Sequence, residues 1–140
     1  MRNHFEQLKK LLGNSYSPYS HFATAAIAIT DVGEFKGVNV ENSSFGATVC
    51  AERNAIFNAI TNGAKKFEKL LLISNSLNDD IIPCAICLQV MTEFFDQSTI
   101  IEVTNYDGSK HKKYYLSDLL PISFSKKQMQ EHDEYLKGKK

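Results

Sequence analysis

The chain has 140 residues and a formal net charge of zero, because 16 lysines and arginines balance 16 aspartates and glutamates. This length predicts a single domain, residues 1–140, and a content of 43% hydrophobic residues excludes a disordered tail. The zero net charge argues against a nucleic acid partner, and no apolar run reaches the roughly 20 residues that span a membrane. The first residues lack an apolar signal-peptide core, so we expect a cytoplasmic protein whose thiols stay reduced.

Apolar residues recur at helical spacing in some segments, and other segments have the length and composition of strands. In chain order we predict a helix, a two-stranded hairpin, a helix, a strand, a helix, two further strands and a charged terminal segment that contains a helix. The predicted bounds, in that order, are 2–12, 23–30, 35–41, 50–61, 70–74, 84–95, 99–104, 112–116 and 125–140. Because helices alternate with apolar strands, we predict a three-layer α/β/α sandwich with a mixed sheet of about five strands.

All three cysteines lie at the starts of two predicted helices. Cys50 opens one helix, and Cys84 and Cys87 share one face at the start of the next. Each helix N-terminus carries about half a positive charge, which favours thiolates over thiols. Three thiolates can hold a zinc ion and leave its fourth tetrahedral position open. The Cys-x-x-Cys pair could instead be redox-active, whereas a structural zinc module would need a further ligand pair that this sequence lacks.

Glu52 and Arg53 follow Cys50 directly in the sequence. A carboxylate that is not a metal ligand can move protons to and from a water beside the metal. In a continuous helix Glu52 would lie about 200° from Cys50, so both reach one pocket only if Cys50 is the helix cap. An acid in the first turn is also expected from capping alone. Arg53 can donate hydrogen bonds to the sulfurs, or it can be an ordinary surface arginine.

The sequence Cys-Ala-Glu-Arg from Cys50, followed by Pro-Cys-x-x-Cys from Pro83, resembles the signature of zinc-dependent nucleoside and nucleobase deaminases. Residues 17–22 and 37–42, and the segment from Leu119 to Phe124, resemble motifs of the small homotetrameric cytidine deaminases. The resemblance covers roughly residues 10 to 128. It implies the fold of that family and a zinc-dependent hydrolytic deamination of cytidine and deoxycytidine to uridine and deoxyuridine, in pyrimidine salvage.

The resemblance also implies roles for single residues. It implies that Cys50, Cys84 and Cys87 bind one zinc ion per chain. Glu52 would be the proton shuttle, which takes a proton from the attacking water and passes protons to N3 and to the leaving amine. The substrate-binding residues that it implies are Asn39 and Glu41 for the ribose, Phe22 and the backbone of Ala51 for the base, and Phe124 from a neighbouring subunit.

Two positions depart from the family's usual Pro-Cys-Gly-x-Cys-Arg-Gln. Ala85 replaces the glycine and Leu88 replaces the arginine, while Gln89 is retained. The missing arginine removes a positive charge near the thiolates, so we expect Arg53, together with Gln89, to support the sulfurs from outside the ligand set.

Four alternatives remain open from the sequence. The enzyme could act on another aminopyrimidine nucleoside, such as a nucleoside antibiotic, or the chain could be a structural zinc module. Phe22 could be an ordinary core residue, and Phe124 could fold back onto the core of its own chain.

Overall fold

The structure is a computed structural model, and it describes residues 1–138. The last two residues of the predicted terminal segment, 139 and 140, lie outside the described residues. The strands are β1 (Thr24–Thr30), β2 (Gly33–Val38), β3 (Phe67–Ser74), β4 (Ile100–Thr104) and β5 (Lys112–Tyr115). The helices are α1 (Phe5–Leu11), α2 (Ala51–Thr61), α3 (Ala85–Phe94), α4 (Leu116–Leu119) and α5 (Lys126–Gly138), with short 3-10 turns at Leu12–Asn14 and Phe45–Ala47.

The five strands form one mixed sheet in the order β2-β1-β3-β4-β5. β1 is antiparallel to both β2 and β3, β3 and β4 are parallel, and β5 is antiparallel to β4. The parallel pair needs a crossover connection, which α3 provides. The predicted mixed sheet of about five strands is confirmed.

The sheet is covered by helices on both faces. Because side chains alternate along a strand, Ala25 and Ile27 of β1 pack in one cluster with Leu8 of α1, while Ala26 and Ala28 pack in the cluster that contains α2 and α3. A strand buried on both faces has a continuous apolar sequence, which is what β1 and β3 show. The predicted three-layer α/β/α arrangement is therefore confirmed.

Helix α2 lies directly on β2 at Gly37. A Cβ atom on Gly37 would lie 2.4 Å from the backbone nitrogen of Ala55 and 2.6 Å from the carbonyl oxygen of Ala51. No side chain fits in this gap, so the two backbones are in contact. The Nδ2 of Asn54 also donates to the carbonyl of Val38 at 2.8 Å. These contacts fix the start of α2 with respect to the sheet.

Several element bounds differ from those predicted, and the clearest differences are in β2 and β3. β2 ends at Val38 instead of residue 41, because the chain leaves the sheet there and Val40 forms only isolated bridges with Tyr16 and Val49. β3 begins three residues early, at Phe67, whose buried side chain precedes the exposed Glu68. The single turn of α4 was not predicted. No helix within residues 1–138 has the length and apolarity needed to cross a bilayer.

Candidate active site

The three cysteine sulfurs meet at one point, where α2 and α3 both begin. Cys50 and Cys84 are the N-cap residues of these helices and have extended backbones, with ψ of 157° and 162°. The Sγ of Cys84 lies 3.7 Å from that of Cys50 and 3.5 Å from that of Cys87. All three sulfurs lie within 4.8 Å of one another. Cys50 and Cys84, which are 34 positions apart in the sequence, thus belong to a single cluster of possible metal ligands.

The thiols of Cys50 and Cys87 shift each other's pKa values. A hydrogen bond from Cys87 lowers the pKa of Cys50 to about 5, and Arg53 acts in the same direction. The pKa of Cys87 is raised by its hydrogen bond to Cys50, by burial and by the negative charge of Glu52. Once one cysteine is a thiolate, its negative charge therefore opposes ionisation of the next cysteine. A bound cation is needed for all three to ionise together.

The spacing of the sulfurs fits zinc. A tetrahedral zinc ion with Zn–S bonds of about 2.3 Å places two sulfur ligands about 3.8 Å apart. The Cys50–Cys84 and Cys84–Cys87 sulfur separations, 3.7 and 3.5 Å, are close to this value. Cys50, Cys84 and Cys87 therefore fit one zinc ion per chain with three protein ligands, the number found in catalytic zinc sites.

Glu52 lies in the first turn of α2, and its side chain is only 4% exposed. Because Cys50 is the cap and not part of the helix, both residues line the same cavity, as the capping argument requires. Burial raises the pKa of Glu52 to about 7, and the charge of Cys50 contributes to the rise. A carboxyl group with this pKa can both accept and release a proton near neutral pH.

Arg53 is partly buried, and its guanidinium group faces the cysteines. Its Nη2 lies 3.6 Å from the Sγ of Cys50 and 3.4 Å from the carbonyl oxygen of Thr48. Its Nε is buried and has no hydrogen-bond partner within the described residues. Leu88, which stands where the family has an arginine, is 6% exposed and packs in the core. The positive charge of Arg53 is thus directed at the thiolate of Cys50.

A cavity of about 400 Å³ opens beside the cluster, a size common for small-molecule sites. Six residues singled out from the sequence line it. They are Phe22, Asn39, Glu41, Cys50, Glu52 and Cys84. Phe22 is 43% exposed, so it is not a core residue. It follows His21, whose φ of 58° turns the chain at this point.

Asn39 and Glu41 are held in different ways. Asn39 is buried, its Oδ1 accepts from the backbone N–H of Thr24 at 2.9 Å, and its Nδ2 donates to the carbonyl of Phe22 at 2.8 Å. It therefore braces the loop that carries Phe22. Glu41 accepts hydrogen bonds from the backbone N–H of Tyr19 at 3.0 Å and from the N–H and hydroxyl of Ser20. These hydrogen bonds, led by that of the Ser20 hydroxyl, lower the pKa of Glu41 and keep its carboxylate charged.

The cavity is also lined by residues that the sequence did not single out. They are Ser20, Thr24, Thr48, Leu72, Asp79, Asp80, Ile81 and Ile82. Four of them, 79–82, belong to the irregular loop between β3 and α3. Their one signal in the sequence is that they directly precede Pro83 and Cys84.

Five other residues that the sequence singled out do not line this cavity: Cys87 and Arg53, described above, and Ala51, Phe124 and Gln89. Ala51 is fully buried as the first residue of α2, a position whose N–H has no partner within the helix. Phe124 is 61% exposed and is not folded into its own core. The Nε2 of Gln89 donates to the carbonyl of Phe124 at 2.8 Å and to the hydroxyl of Thr92 at 3.2 Å, so it supports the Phe124 segment and not the sulfurs.

The chain is similar in sequence to known deaminases. The model of the family described as "Cytidine and deoxycytidylate deaminase zinc-binding region" matches residues 1–103, which include the three cysteines and Glu52. A cytidine deaminase from Mycoplasma genitalium is 36% identical over 121 residues, which cover 86% of this chain and 92% of that protein. A cytidine deaminase from Sporosarcina psychrophila is 34% identical over 122 residues, with coverage of 86% and 88%.

The fold of the chain is also similar to that of a solved deaminase structure. The crystal structure of cytidine deaminase from Burkholderia pseudomallei matches with a TM-score of 0.80 and 33% identity. The match covers 88% of this chain and 98% of that one.

Proposed function

This chain belongs to the family of cytidine and deoxycytidylate deaminases, and from that membership we propose that it hydrolyses cytidine and deoxycytidine to uridine and deoxyuridine, with release of ammonia. The observation that carries the proposal is the buried carboxyl group of Glu52 in the same cavity as the sulfurs of Cys50 and Cys84. A structural zinc module has no use for a buried acid whose pKa is raised to about 7.

In this proposal Glu52 moves the protons. Cys50, Cys84 and Cys87 would hold a zinc ion, which would supply Lewis-acid activation of the attacking water. Glu52 takes one proton from the water and delivers it to N3 of the pyrimidine while the water oxygen bonds to C4. The second proton of the water then goes through Glu52 to the exocyclic amine, the C4–N bond breaks, and ammonia leaves. The atoms balance as one water in and one ammonia out.

The remaining lining residues bind the nucleoside. Phe22 presents an aromatic face to the base, and the N–H of Ala51, which has no partner within the helix, is a donor for the pyrimidine. Glu41 accepts a ribose hydroxyl, and Asn39 contributes to the same end of the cavity. The fixed orientation of Glu41 by Tyr19 and Ser20 supports this assignment, because it prearranges the acceptor.

We further propose a homotetramer in which Phe124 completes the cavity of a neighbouring subunit. Phe124 is 61% exposed and the nearby Ile122 is 92% exposed. Gln89 anchors this segment through the carbonyl of Phe124. An exposed aromatic residue in a segment that is tied to α3 is well suited to an interface. We place the enzyme in pyrimidine salvage in the cytoplasm, where three free thiols stay reduced.

The test is an ultraviolet assay of the purified, zinc-loaded protein with cytidine, alongside metal analysis. We expect loss of the cytidine absorbance, release of one ammonia per cytidine and one zinc per chain. Cys50→Ala should lower both zinc content and turnover. A folded, zinc-loaded protein that leaves cytidine and deoxycytidine unchanged would refute the proposal and favour a different aminopyrimidine or a structural role.

A further inference from the structure

A hydroxyl group from outside the cavity lining contacts the side chain of Asn39. Ser15 follows the 3-10 turn at Leu12–Asn14, and its backbone N–H donates to the carbonyl of Leu12 at 3.1 Å. Its Oγ lies 2.5 Å from the Oδ1 of Asn39 and donates to it. Asn39 lines the cavity and Ser15 does not. The chemistry described above gives Ser15 no task.

We propose that Ser15 is a positioning residue for the nucleoside. Its hydroxyl holds the amide of Asn39 so that Asn39 presents a hydrogen-bond donor, and no acceptor, to the cavity. The inference rests on the proposed deaminase function. Ser15 precedes the motif at residues 17–22, so the resemblance of that motif to other deaminases assigns it no role.

Three hydrogen bonds fill most of the capacity of the Asn39 amide. Its oxygen has two lone pairs, and both are used, by the N–H of Thr24 at 2.9 Å and by the hydroxyl of Ser15. Its nitrogen has two N–H groups, and one donates to the carbonyl of Phe22 at 2.8 Å. Within residues 1–138, only the second N–H is left for a ligand. Without Ser15, a lone pair on a side chain that is 7% exposed would lose its donor.

Asn39 and Glu41 then offer the cavity opposite hydrogen-bonding groups. They are two positions apart on an extended segment, so their side chains lie on the same side of it, and both line the cavity. A charged carboxylate only accepts hydrogen bonds, and the remaining N–H of Asn39 only donates. A hydroxyl group can donate to the first and accept from the second at the same time. The bond from Ser15 keeps the amide oxygen from competing as a second acceptor.

The backbone next to Ser15 holds the same segment. The N–H of Tyr16 donates to the carbonyl of Asn39 at 3.0 Å, and the carbonyl of Tyr16 accepts from the N–H of Glu41 at 2.8 Å. These two bonds form the parallel bridge between Tyr16 and Val40. They do not involve the side chain of Ser15. A substitution at Ser15 should therefore remove the hydroxyl contact and leave the path of the backbone in place.

The experiment measures kcat and KM of the zinc-loaded protein for cytidine and for 2′,3′-dideoxycytidine, which lacks both ring hydroxyls. We expect Ser15→Ala to raise KM for cytidine about 3–10-fold, the effect of one lost neutral hydrogen bond, with kcat within about twofold of the wild type. KM for the dideoxynucleoside should change by less than about twofold, because that substrate offers Asn39 no ring hydroxyl. An equal rise for both substrates, or no rise for cytidine, would overturn the inference.

Further variants separate the hydroxyl group from the shape of the side chain. Threonine and valine have nearly the same shape, and only threonine has a hydroxyl, so Ser15→Thr should keep the wild-type KM and Ser15→Val should resemble Ser15→Ala. In an Asn39→Ala background, Ser15→Ala should raise KM no further, because two residues that act through one contact are not additive. A further rise in that background would show that Ser15 acts by another route, and the inference would be wrong.

Ser109→Ala is the matched control for a purely structural effect. The Oγ of Ser109 accepts from the Nδ2 of the buried Asn105 at 3.0 Å, and neither residue lines the cavity. Both serine-to-alanine changes should lower the free energy of unfolding, but only Ser15→Ala should raise KM. If Ser109→Ala raises KM by the same factor, the effect of Ser15 is a general loosening of the fold and the inference fails.

A binding measurement keeps this inference distinct from the proposed function. Calorimetric titration with uridine and 2′,3′-dideoxyuridine requires no turnover. Ser15→Ala should weaken the binding of uridine about 3–10-fold and change that of the dideoxynucleoside by less than about twofold. If the wild type fails to deaminate cytidine, the proposed function is refuted, and the titration still decides this inference. Equal effects of Ser15→Ala on the two ligands, or a wild type that binds neither, would overturn it.

Discussion

The Nη2 of Arg53 lies 3.6 Å from the Sγ of Cys50, so the guanidinium group is placed to donate a charge-assisted hydrogen bond to a thiolate. This contact balances part of the negative charge of three thiolates. The contact of Arg53 is more important in this chain than in chains with the usual family motif, because Leu88 replaces the arginine of that motif and has no charge to contribute.

Replacing Arg53 should therefore weaken zinc binding. Arg53→Gln removes the charge, and loss of such an outer partner of a metal ligand typically costs about 10–100-fold in affinity or activity. Arg53→Lys keeps the charge on a shorter, non-planar group, so its zinc affinity should lie between that of the wild type and that of Arg53→Gln. Competition with a chromogenic chelator measures the affinity. Unaltered zinc affinity and turnover in Arg53→Gln would mean that the arginine is only a packing residue.

Replacing Glu52 should abolish proton transfer without removing the metal. Glu52→Gln retains the shape of the buried side chain but cannot hold a transferable proton, so kcat should fall at least about 10²–10⁴-fold. Zinc content and melting temperature should stay close to those of the wild type. Near-normal turnover in this variant would show that another group is the base.

Replacing Gly37 should displace α2 from the sheet. In Gly37→Ala the new methyl group would lie 2.4 Å from the backbone of Ala55, and overpacking of this kind costs about 1–3 kcal/mol of unfolding free energy. The movement would reach Cys50 and Glu52, so kcat should fall as well. Gly13→Ala is the matched control, since a Cβ there has no atom within 4 Å. Equal stability of the two variants in urea denaturation would contradict the close backbone contact.

Replacing Phe124 should affect substrate binding if subunits share their cavities. We expect Phe124→Ala to raise KM for cytidine more than it lowers kcat, because the aromatic face contacts the base. Gln89→Ala removes the donor to the carbonyl of Phe124, so it should also raise KM for cytidine, but by a smaller factor. Sedimentation should show a tetramer for the wild type. A fully active monomer would refute the shared cavity but not the zinc chemistry.

Acid should weaken the contribution of Asp31 to stability. The backbone N–H groups of Lys65 and Lys66 donate to its carboxylate at 3.0 and 3.2 Å and lower its pKa. A carboxyl with a lowered folded-state pKa stabilises the fold above its unfolded pKa, and this contribution disappears as pH falls through the folded value.

The test compares the unfolding free energy of Asp31→Ala with that of the wild type across pH. The difference should be largest above about pH 5 and shrink towards pH 2–3. Asp31→Asn keeps an acceptor without the charge, so its deficit above pH 5 should be smaller. Zinc loss in acid affects all three proteins alike and cancels in the difference. A difference that stays constant across pH would show that the charge of Asp31 is unimportant.

Several features of the site follow from local sequence alone. The apolar spacing predicts the helices that begin at Cys50 and Cys84, because burial of one helix face requires that period. Cys50 and Glu52 are two residues apart, and Cys84 and Cys87 form a Cys-x-x-Cys pair, so the chemistry of these groups can be inferred before any fold is known. β1, β3 and β4 are also predictable because each contains a short apolar run, whereas the polar edge strands β2 and β5 are indicated by the turn signals that precede them.

The tertiary structure decides how these parts meet. The sulfurs of Cys50 and Cys84 lie 3.7 Å apart only because α2 and α3 start at the same edge of the sheet. The rotation of α2, fixed by the backbone contact at Gly37, directs the guanidinium group of Arg53 towards a sulfur. The amide of Gln89 was expected near the cysteines, and its hydrogen bonds instead join α3 to the Phe124 segment.

The acidic lining of the cavity is likewise a product of the fold. Asp79 and Asp80 lie in a loop without any apolar period, and no local pattern predicts where such a backbone goes. Their position depends on the path from the end of β3 to the start of α3, which is set by the parallel pairing of β3 and β4. Sequence spacing determined the reacting groups, whereas the long-range packing of helices on the sheet decided which charges surround them.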